Sequence, residues 1–194
     1  MVDFQRRDTH RDEPEDSGGT GEEQTSEEHD HHAHDVATVG AAVLTISSSR
    51  NLDADPSGDA IRDHFEADGH RVVTREVIRD DRDRIQAAVN QLVDRRDVDV
   101  VVTTGGTGVT PDDVTVEAVG PLFDKHLPGF GELFRRRSEE SVGTKVLATR
   151  ATAGVVDAVP VFVLPGSVDA VELGVDELIL PEISHLVGLA GRDH

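Results

Sequence analysis

Hydrophobic residues fall along this chain in short β-branched runs that alternate with segments of helical periodicity. The β-branched runs predict strands at 36–46, 71–77, 98–104, 152–156 and 159–164. Apolar spacing predicts helices from Pro56 to a cap at Gly69, over 85–93, over 132–140, and from 168 towards 189 with an interruption at Pro181, together with a helical turn at 146–150. It also predicts a helix that carries Val116, Val119 and Leu122. This alternation favours an α/β fold, a three-layer α/β/α sandwich with a mostly parallel sheet.

The first 35 residues differ in composition from the rest of the chain. Residues 1–35 contain twelve acidic and three basic residues and almost no large apolar side chain after Phe4. Such a segment cannot bury enough apolar surface to offset its ordering entropy, so we predict a disordered acidic tail at 1–35 and one folded domain at 36–194. The tail ends in a His-rich tract at 29–35, which either chelates Zn, Ni or Cu or is a solvated tail with incidental metal affinity.

The net charge excludes one class of partner. The chain has 39 acidic residues against 19 Lys and Arg residues, a formal charge of −20, so no basic surface can neutralise a nucleic-acid backbone. The excess of Asp, with Arg preferred to Lys, suggests adaptation to high salt, although an ordinary acidic protein would also carry this charge. The chain has no cysteine, no signal-peptide pattern and no apolar run near the ~20 residues that cross a bilayer, which predicts a cytoplasmic protein without membrane spans.

The central stretch of the chain is a buried strand that leads into a glycine loop. Val98–Thr104 is typical of a strand buried on both faces, and Gly105-Gly106-Thr107-Gly108 follows it directly. Such a loop can present backbone N–H groups to a phosphate, although its glycines could also serve backbone geometry alone. It lacks the Gly-Lys-Ser/Thr end of a Walker A loop and the third glycine of a dinucleotide fingerprint.

Helix-start signals follow the glycine loop. Thr110 is a candidate N-cap, Pro111 fits the first helical position, and Asp112 and Asp113 suit the positive end of a helix dipole. Similar polar loops end other strands, at Ser47–Arg50, Pro165–Ser167 and the Asp80 turn. Because ligands collect at the carboxyl ends of parallel strands, we expect an anion site there. Aspartates at the rim of an anion-binding loop would repel the anion, so we also expect a cation between the carboxylates and the bound anion.

The loop and the blocks around it resemble the molybdenum-cofactor biosynthesis family that includes MoaB, MogA and the G domain of gephyrin. The blocks that carry the resemblance are Thr104–Thr115, Pro128–Glu132, Ser138, Arg150–Gly154 and Leu164–Ser167, with Ser47, Arg50 and the Asp80 turn upstream. They occur in order from about residue 37 to 189, and residues 143–145 with the Pro-Gly-Ser ending are nearer to MoaB than to MogA. Val116 stands where many relatives have proline.

The resemblance implies a molybdopterin-binding fold and adenylylation of molybdopterin by Mg-ATP, with adenylyl-molybdopterin and pyrophosphate as products. It assigns catalysis and Mg²⁺ binding to Asp80 and Asp113. It assigns substrate binding to Ser47, Thr104, Gly105, Gly106, Thr107, Gly108, Ser138, Arg150, Pro165, Gly166 and Ser167. It also implies a homo-oligomer, either a trimer or a hexamer, and the molybdate-insertion protein as a partner.

Alternatives stay open for these residues and for the function. Asp113 could stabilise a helix dipole, Asp80 could be a turn residue, Arg150 could pair with a surface carboxylate, and Ser138 and Ser167 could cap helices. The protein could also hold molybdopterin without adenylylating it. A third interpretation is a hydrolase similar to competence/damage-inducible domains, which act on pyrophosphate bonds. Acidic residues at both 80 and 113 favour the transferase.

Overall fold

The computed structural model describes residues 36–191, so the predicted tail and its His-rich tract lie outside the described residues. The described strands form one six-stranded sheet in the order β2-β1-β3-β6-β5-β4. They are β1 (Gly40–Ile46), β2 (Arg71–Ile78), β3 (Val100–Thr104), β4 (Lys125–His126), β5 (Thr152–Val156) and β6 (Val159–Leu164). The first three strands and β6 pair in parallel, whereas β5 and β4 extend one edge antiparallel. This confirms the mostly parallel sheet.

Helices cover both faces of this sheet. They are α1 (Pro56–Ala67), α2 (Arg82–Val93), α3 (Thr115–Val119), α4 (Pro128–Val142), α5 (Val168–Gly174) and α6 (Leu180–Ala190). Short 3₁₀ helices lie at Leu52–Ala54, Gly120–Leu122 and Gly143–Ala148. Within residues 36–191, no helix combines the length and the apolar character that a bilayer crossing requires.

Two apolar layers, one on each face of the sheet, join the helices to the strands. Ala41 and Val43 of β1 pack in the layer formed with α1, α4, α5 and α6. Ala42 and Leu44 pack in the opposite layer, formed with α2 and α3. Successive side chains of a strand point to opposite faces, so a continuous apolar run supplies both layers. The predicted three-layer α/β/α sandwich is confirmed.

The helix after the glycine loop begins later than predicted. Thr110 does not cap a helix, because residues 110–113 form a turn in which the N–H of Asp113 donates to the carbonyl of Thr110 at 3.0 Å. Pro111 occupies the second position of this turn, where its fixed φ is favourable. The helix α3 starts at Thr115 after Val114. The prediction that Asp112 and Asp113 lie in the first helical turn was therefore wrong.

Three smaller findings concern the ends of elements. The helix α4 begins at Pro128 rather than at 132, because a proline is tolerated at the first helical position. The last helix is interrupted before Pro181, by a π-helical turn at Val175–Ile179, since proline supplies no N–H to the preceding turn. The two-residue strand β4 was not predicted, and no hydrophobic alternation marks so short an edge strand.

A buried carboxylate joins β1, β2 and α1 beside the carboxyl end of the sheet. Asp55 is 1% exposed and caps α1 by accepting the N–H of Gly58 at 3.1 Å. Its Oδ2 accepts the hydroxyl of Thr45 at 2.7 Å and lies 3.3 Å from Nη2 of Arg75. A buried charge is tolerated only while its partners stay in place, so this network fixes the start of α1 against the sheet.

We predict that Asp55→Ala destabilises the fold by about 3 kcal/mol or more, because it leaves half-buried Arg75 with fewer partners and removes the cap of α1. The free energy of unfolding from urea denaturation at fixed protein concentration measures this. Asp63→Ala is the matched control, since Asp63 is 64% exposed in its pair with Arg62 and should contribute only about 0–1 kcal/mol. Equal losses in the two variants would contradict the structural role given to Asp55.

Candidate active site

A cleft opens at the carboxyl edge of the sheet where the strand order reverses. The chain passes from β1 to β2 on one side, while β3 and β6 lie on the other side of β1. Open α/β sheets bind ligands at such a switch point. The cleft has a volume of about 620 Å³, and its walls come from the segments that follow β1, β2, β3 and β6, together with residues 148–149.

The loop Gly105–Gly108 forms one wall of this cleft. Gly105 and Gly106 have φ values of +101° and +63°, in the left-handed region that favours glycine. A side chain at Gly105 would also overlap the carbonyl oxygen of Ile46 at the end of β1. Glycine is therefore required here by conformation and by close packing together.

Thr115 and Arg150 fix the direction of the peptide groups in this loop. Thr115 donates its hydroxyl to the carbonyl of Gly105 at 2.8 Å and its N–H to the carbonyl of Gly106 at 3.0 Å. Nε of Arg150 donates to the carbonyl of Thr107 at 3.2 Å. In a trans peptide the N–H points opposite to the C=O, and the described residues contain no cis bond. The N–H groups of Gly106 and Thr107 therefore point away from Thr115, as an anion-binding loop requires.

Arg150 also ties the loop to the turn that follows it. Its Nη2 donates to the carbonyl of Asp113 at 2.9 Å, and its Nη1 pairs with Glu117 of α3. The hydrogen bond from Arg150 lowers the pKa of Glu117. Because this guanidinium does not line the cleft, it acts as a brace behind the glycine loop.

Asp113 lines the cleft with a carboxylate that is held from one side. Its Oδ2 accepts the N–H of Thr110 at 2.8 Å and the Thr110 hydroxyl at 2.6 Å. Burial acts to raise the pKa of Asp113, but the two bonds from Thr110, the nearby N–H of Gly108 and the charge of Arg150 outweigh it, so the pKa is lowered. Asp113 is therefore a fixed negative charge rather than a proton carrier near neutral pH.

Asp80 lines the same cleft as Asp113. Its Oδ2 accepts the hydroxyl of Ser48 at 2.7 Å, and its Oδ1 lies 3.5 Å from where a Cβ of Gly106 would stand. The neighbouring acids have other positions. Asp81 caps α2 by accepting the N–H of Arg84 at 2.9 Å, and Asp83 is exposed outside the cleft. The carboxylate at position 80 is thus the one that its turn directs to the loop.

Comparison with known proteins assigns the fold and cleft to a family. The family model described as "Probable molybdopterin binding domain" matches residues 36–185. Molybdenum cofactor biosynthesis protein B of Bacillus cereus is 44% identical over 149 residues, which is 76% of this chain and 88% of that protein. The chain belongs to the molybdenum cofactor biosynthesis family.

Solved structures agree with this membership. A crystal structure of molybdenum cofactor biosynthesis protein B superposes with a TM-score of 0.78 at 42% identity, covering 80% of this chain and 97% of that one. The tungsten cofactor synthesizing protein MoaB from Pyrococcus furiosus superposes with a TM-score of 0.72 at 39% identity, covering 80% and 98%. The predicted resemblance to the MoaB branch of the family, which rested on sequence motifs, is confirmed.

Most of the predicted site residues of this family member line the cleft, namely Ser47, Asp80, Gly105, Gly106, Thr107, Gly108, Asp113, Pro165, Gly166 and Ser167. The hydroxyl of Ser167 also accepts the N–H of Ala170, which caps α5. Three predicted residues do not line it. Thr104 is fully buried and donates its hydroxyl to the carbonyl of Pro165 at 2.8 Å. Arg150 lies behind the loop, and Ser138 lines a neighbouring cavity of about 610 Å³.

Further residues line the cleft that were not predicted as site residues, and these are Ile46, Ser48, Ser49, Arg50, Thr110, Asp112, Ala148 and Thr149. A signal existed for Ser48–Arg50, since they belong to a polar loop at the carboxyl end of a strand. Asp112 was interpreted as a dipole residue because the helix was placed too early. Nothing local marks Ala148 and Thr149, which reach the cleft through the 3₁₀ helix that follows α4.

We predict that Gly105→Ala lowers the free energy of unfolding by about 1–3 kcal/mol, because alanine is strained at this φ and its methyl overlaps a backbone carbonyl. Gly129→Ala is the matched control, since nothing lies within 4 Å of the added methyl in α4 and alanine is the better helix former there. Urea denaturation of the two variants measures the difference. A Gly105→Ala protein as stable as the control would contradict the strained loop.

Proposed function

We propose that this cleft transfers an adenylyl group from Mg-ATP to molybdopterin, giving adenylyl-molybdopterin and pyrophosphate. The observation that carries the proposal is the shared cleft: backbone donors of the glycine loop lie beside the carboxylates of Asp80 and Asp113. Membership of the molybdenum cofactor biosynthesis family supports the choice of substrate.

The reaction joins two anions and needs no side-chain nucleophile. A phosphate oxygen of molybdopterin attacks the α-phosphorus of ATP, a new P–O bond forms, and the bond between the α-phosphorus and its bridging oxygen to the β-phosphate breaks. Pyrophosphate leaves with that oxygen and with the bonding electron pair. The protein must therefore align two phosphates and offset their repulsion.

The loop residues supply the alignment. The N–H groups of Gly106 and Thr107 point away from their anchor at Thr115 and hold the attacking phosphate by backbone hydrogen bonds. They are ordered by Thr115 and Arg150 before any substrate binds, so no loop reorganisation is required at the moment of reaction.

The side chains beside the loop fit a magnesium ion. Asp80 and Asp113 offer carboxylate oxygens, the hard ligands that Mg²⁺ prefers, and each has its Oδ2 held by a neighbouring hydroxyl. Residues 36–191 contain no group of three or more acidic or histidine side chains that could enclose a metal. This fits an ion shared between one or two carboxylates and substrate phosphates. When bound, Mg²⁺ would neutralise phosphate charge at the reacting centre.

The lowered pKa of Asp113 supports a ligand role over a proton-transfer role. A general base works best when its pKa lies near the working pH, whereas the hydrogen bonds from Thr110 move this pKa the other way. An ionised carboxylate of fixed orientation suits a metal ligand.

We predict that Asp113→Asn and Asp80→Asn each reduce product formation by about 100-fold, because each removes one fixed negative charge that holds Mg²⁺ against the phosphates. The assay incubates the full chain with molybdopterin and Mg-ATP and measures both released pyrophosphate and adenylated pterin. Asp83→Asn is the matched control, since Asp83 is exposed three positions beyond Asp80 and outside the cleft.

Two results would count against the proposal. Wild-type turnover in a folded Asp113→Asn protein would show that this carboxylate has no catalytic role. Molybdopterin binding by the wild-type chain without pyrophosphate release would favour the alternative, a carrier that holds the pterin without adenylylating it.

A further inference from the structure

Arg50 carries the fixed positive charge of the cleft. Among the described residues that line it, Arg50 is the one basic side chain, whereas Asp80, Asp112 and Asp113 are acidic. Substrates that contain phosphate bring more negative charge into the same space. The position of this single guanidinium therefore decides where in the cleft a positively charged side chain can meet a phosphate oxygen.

A network on one side of Arg50 holds its guanidinium in place. Nη1 donates to the hydroxyl of Ser57 at 3.0 Å, and Nη2 donates to the carbonyl of Gly166 at 3.1 Å. The Ser57 hydroxyl in turn donates to the same Gly166 carbonyl at 2.8 Å. Nη1 also lies 3.8 Å from Oδ1 of the buried Asp55.

Arg50 keeps donors for a ligand in this arrangement. Of the five N–H donors of a guanidinium, these hydrogen bonds use two. The side chain is 30% exposed, so the remaining donors have access to the cleft.

The cleft is polarised along its glycine loop. At one end, a Cβ added to Gly166 would stand 3.2 Å from Cα of Gly105. Gly166, whose carbonyl accepts a hydrogen bond from Arg50, therefore packs against the start of the loop. At the other end, a Cβ added to Gly108 would stand 2.7 Å from Oδ2 of Asp113. A phosphate on the N–H groups between these ends thus has the guanidinium of Arg50 on one side and the carboxylate of Asp113 on the other.

We propose that Arg50 binds a phosphate oxygen of a substrate at the Gly105 end of the loop, and that Asp55 and Ser57 are positioning residues that direct its guanidinium there. The inference rests on the proposed function for its substrates. The phosphate belongs either to the nucleotide or to the pterin, and a guanidinium recognises both by the same paired hydrogen bonds.

The test is isothermal titration calorimetry of the full chain with α,β-methylene-ATP and, separately, with inorganic phosphate, over a series of salt concentrations. We expect Arg50→Gln to raise the Kd of at least one probe about tenfold and to flatten its salt dependence, because a charge that contacts the ligand is lost. Ser57→Ala keeps the charge but loses its orientation, so its Kd should rise less and its salt dependence should stay unchanged. Arg136→Gln, on the exposed face of α4, is the control and should change neither quantity.

The pattern across the probes identifies the source of the phosphate. If Arg50→Gln weakens the binding of α,β-methylene-ATP, Arg50 is assigned to the nucleotide. If it weakens the binding of inorganic phosphate, Arg50 is assigned to the phosphate of the pterin. Unchanged Kd values for both probes in Arg50→Gln would overturn the inference, as would equal losses in Arg50→Gln and Ser57→Ala with unchanged salt dependence. A wild-type chain that binds neither probe would contradict the proposed function itself. That result comes from the wild-type titration alone, so it is distinct from a failure of the inference about Arg50.

Discussion

Two side chains outside the cleft determine what the cleft can bind. Thr115 and Arg150 donate hydrogen bonds to the carbonyl oxygens of the glycine loop, and the N–H groups of Gly106 and Thr107 consequently point away from Thr115. A sequence with three glycines in four residues would otherwise populate many conformations. Ordering the loop during folding means that a phosphate meets donors already in position, which favours both binding and the alignment of two phosphates.

The charged residues around this loop are arranged by the same principle, with part of each group held by the protein and part left for a ligand. Asp80 is held by Ser48, Asp113 by Thr110, and Arg50 by Ser57 with the carbonyl of Gly166. The buried Asp55 extends this order to the core, because it links the start of α1 to β1 and β2. Charge that is fixed in this way is not reoriented when substrate arrives, so it contributes more than the same charge in water would.

Much of the fold follows from the hydrophobic pattern, because strands and amphipathic helices carry their burial in the sequence. The strands β5 and β6 have the predicted bounds, and the apolar positions of α2 are buried as their spacing indicates. The predicted start of α3 was wrong because Thr110, Pro111 and Asp113 suit a β-turn as well as a helix start. In the structure they form the turn, and Thr115 bonds to the carbonyls of the glycine loop. Arg150 contacts the carbonyls of Thr107 and Asp113, which are distant from it in the sequence, so no local sequence pattern could predict its position behind the loop.

The most direct test of this account is a titration of the chain with inorganic pyrophosphate, followed through the backbone amide resonances of the loop by two-dimensional ¹H–¹⁵N NMR. We expect saturable shifts for Gly106 and Thr107, none for Gly129 on α4, and loss of the loop shifts in Thr115→Val, which removes the hydroxyl that anchors Gly105. Saturable binding that leaves the amides of Gly106 and Thr107 unmoved would contradict this expectation.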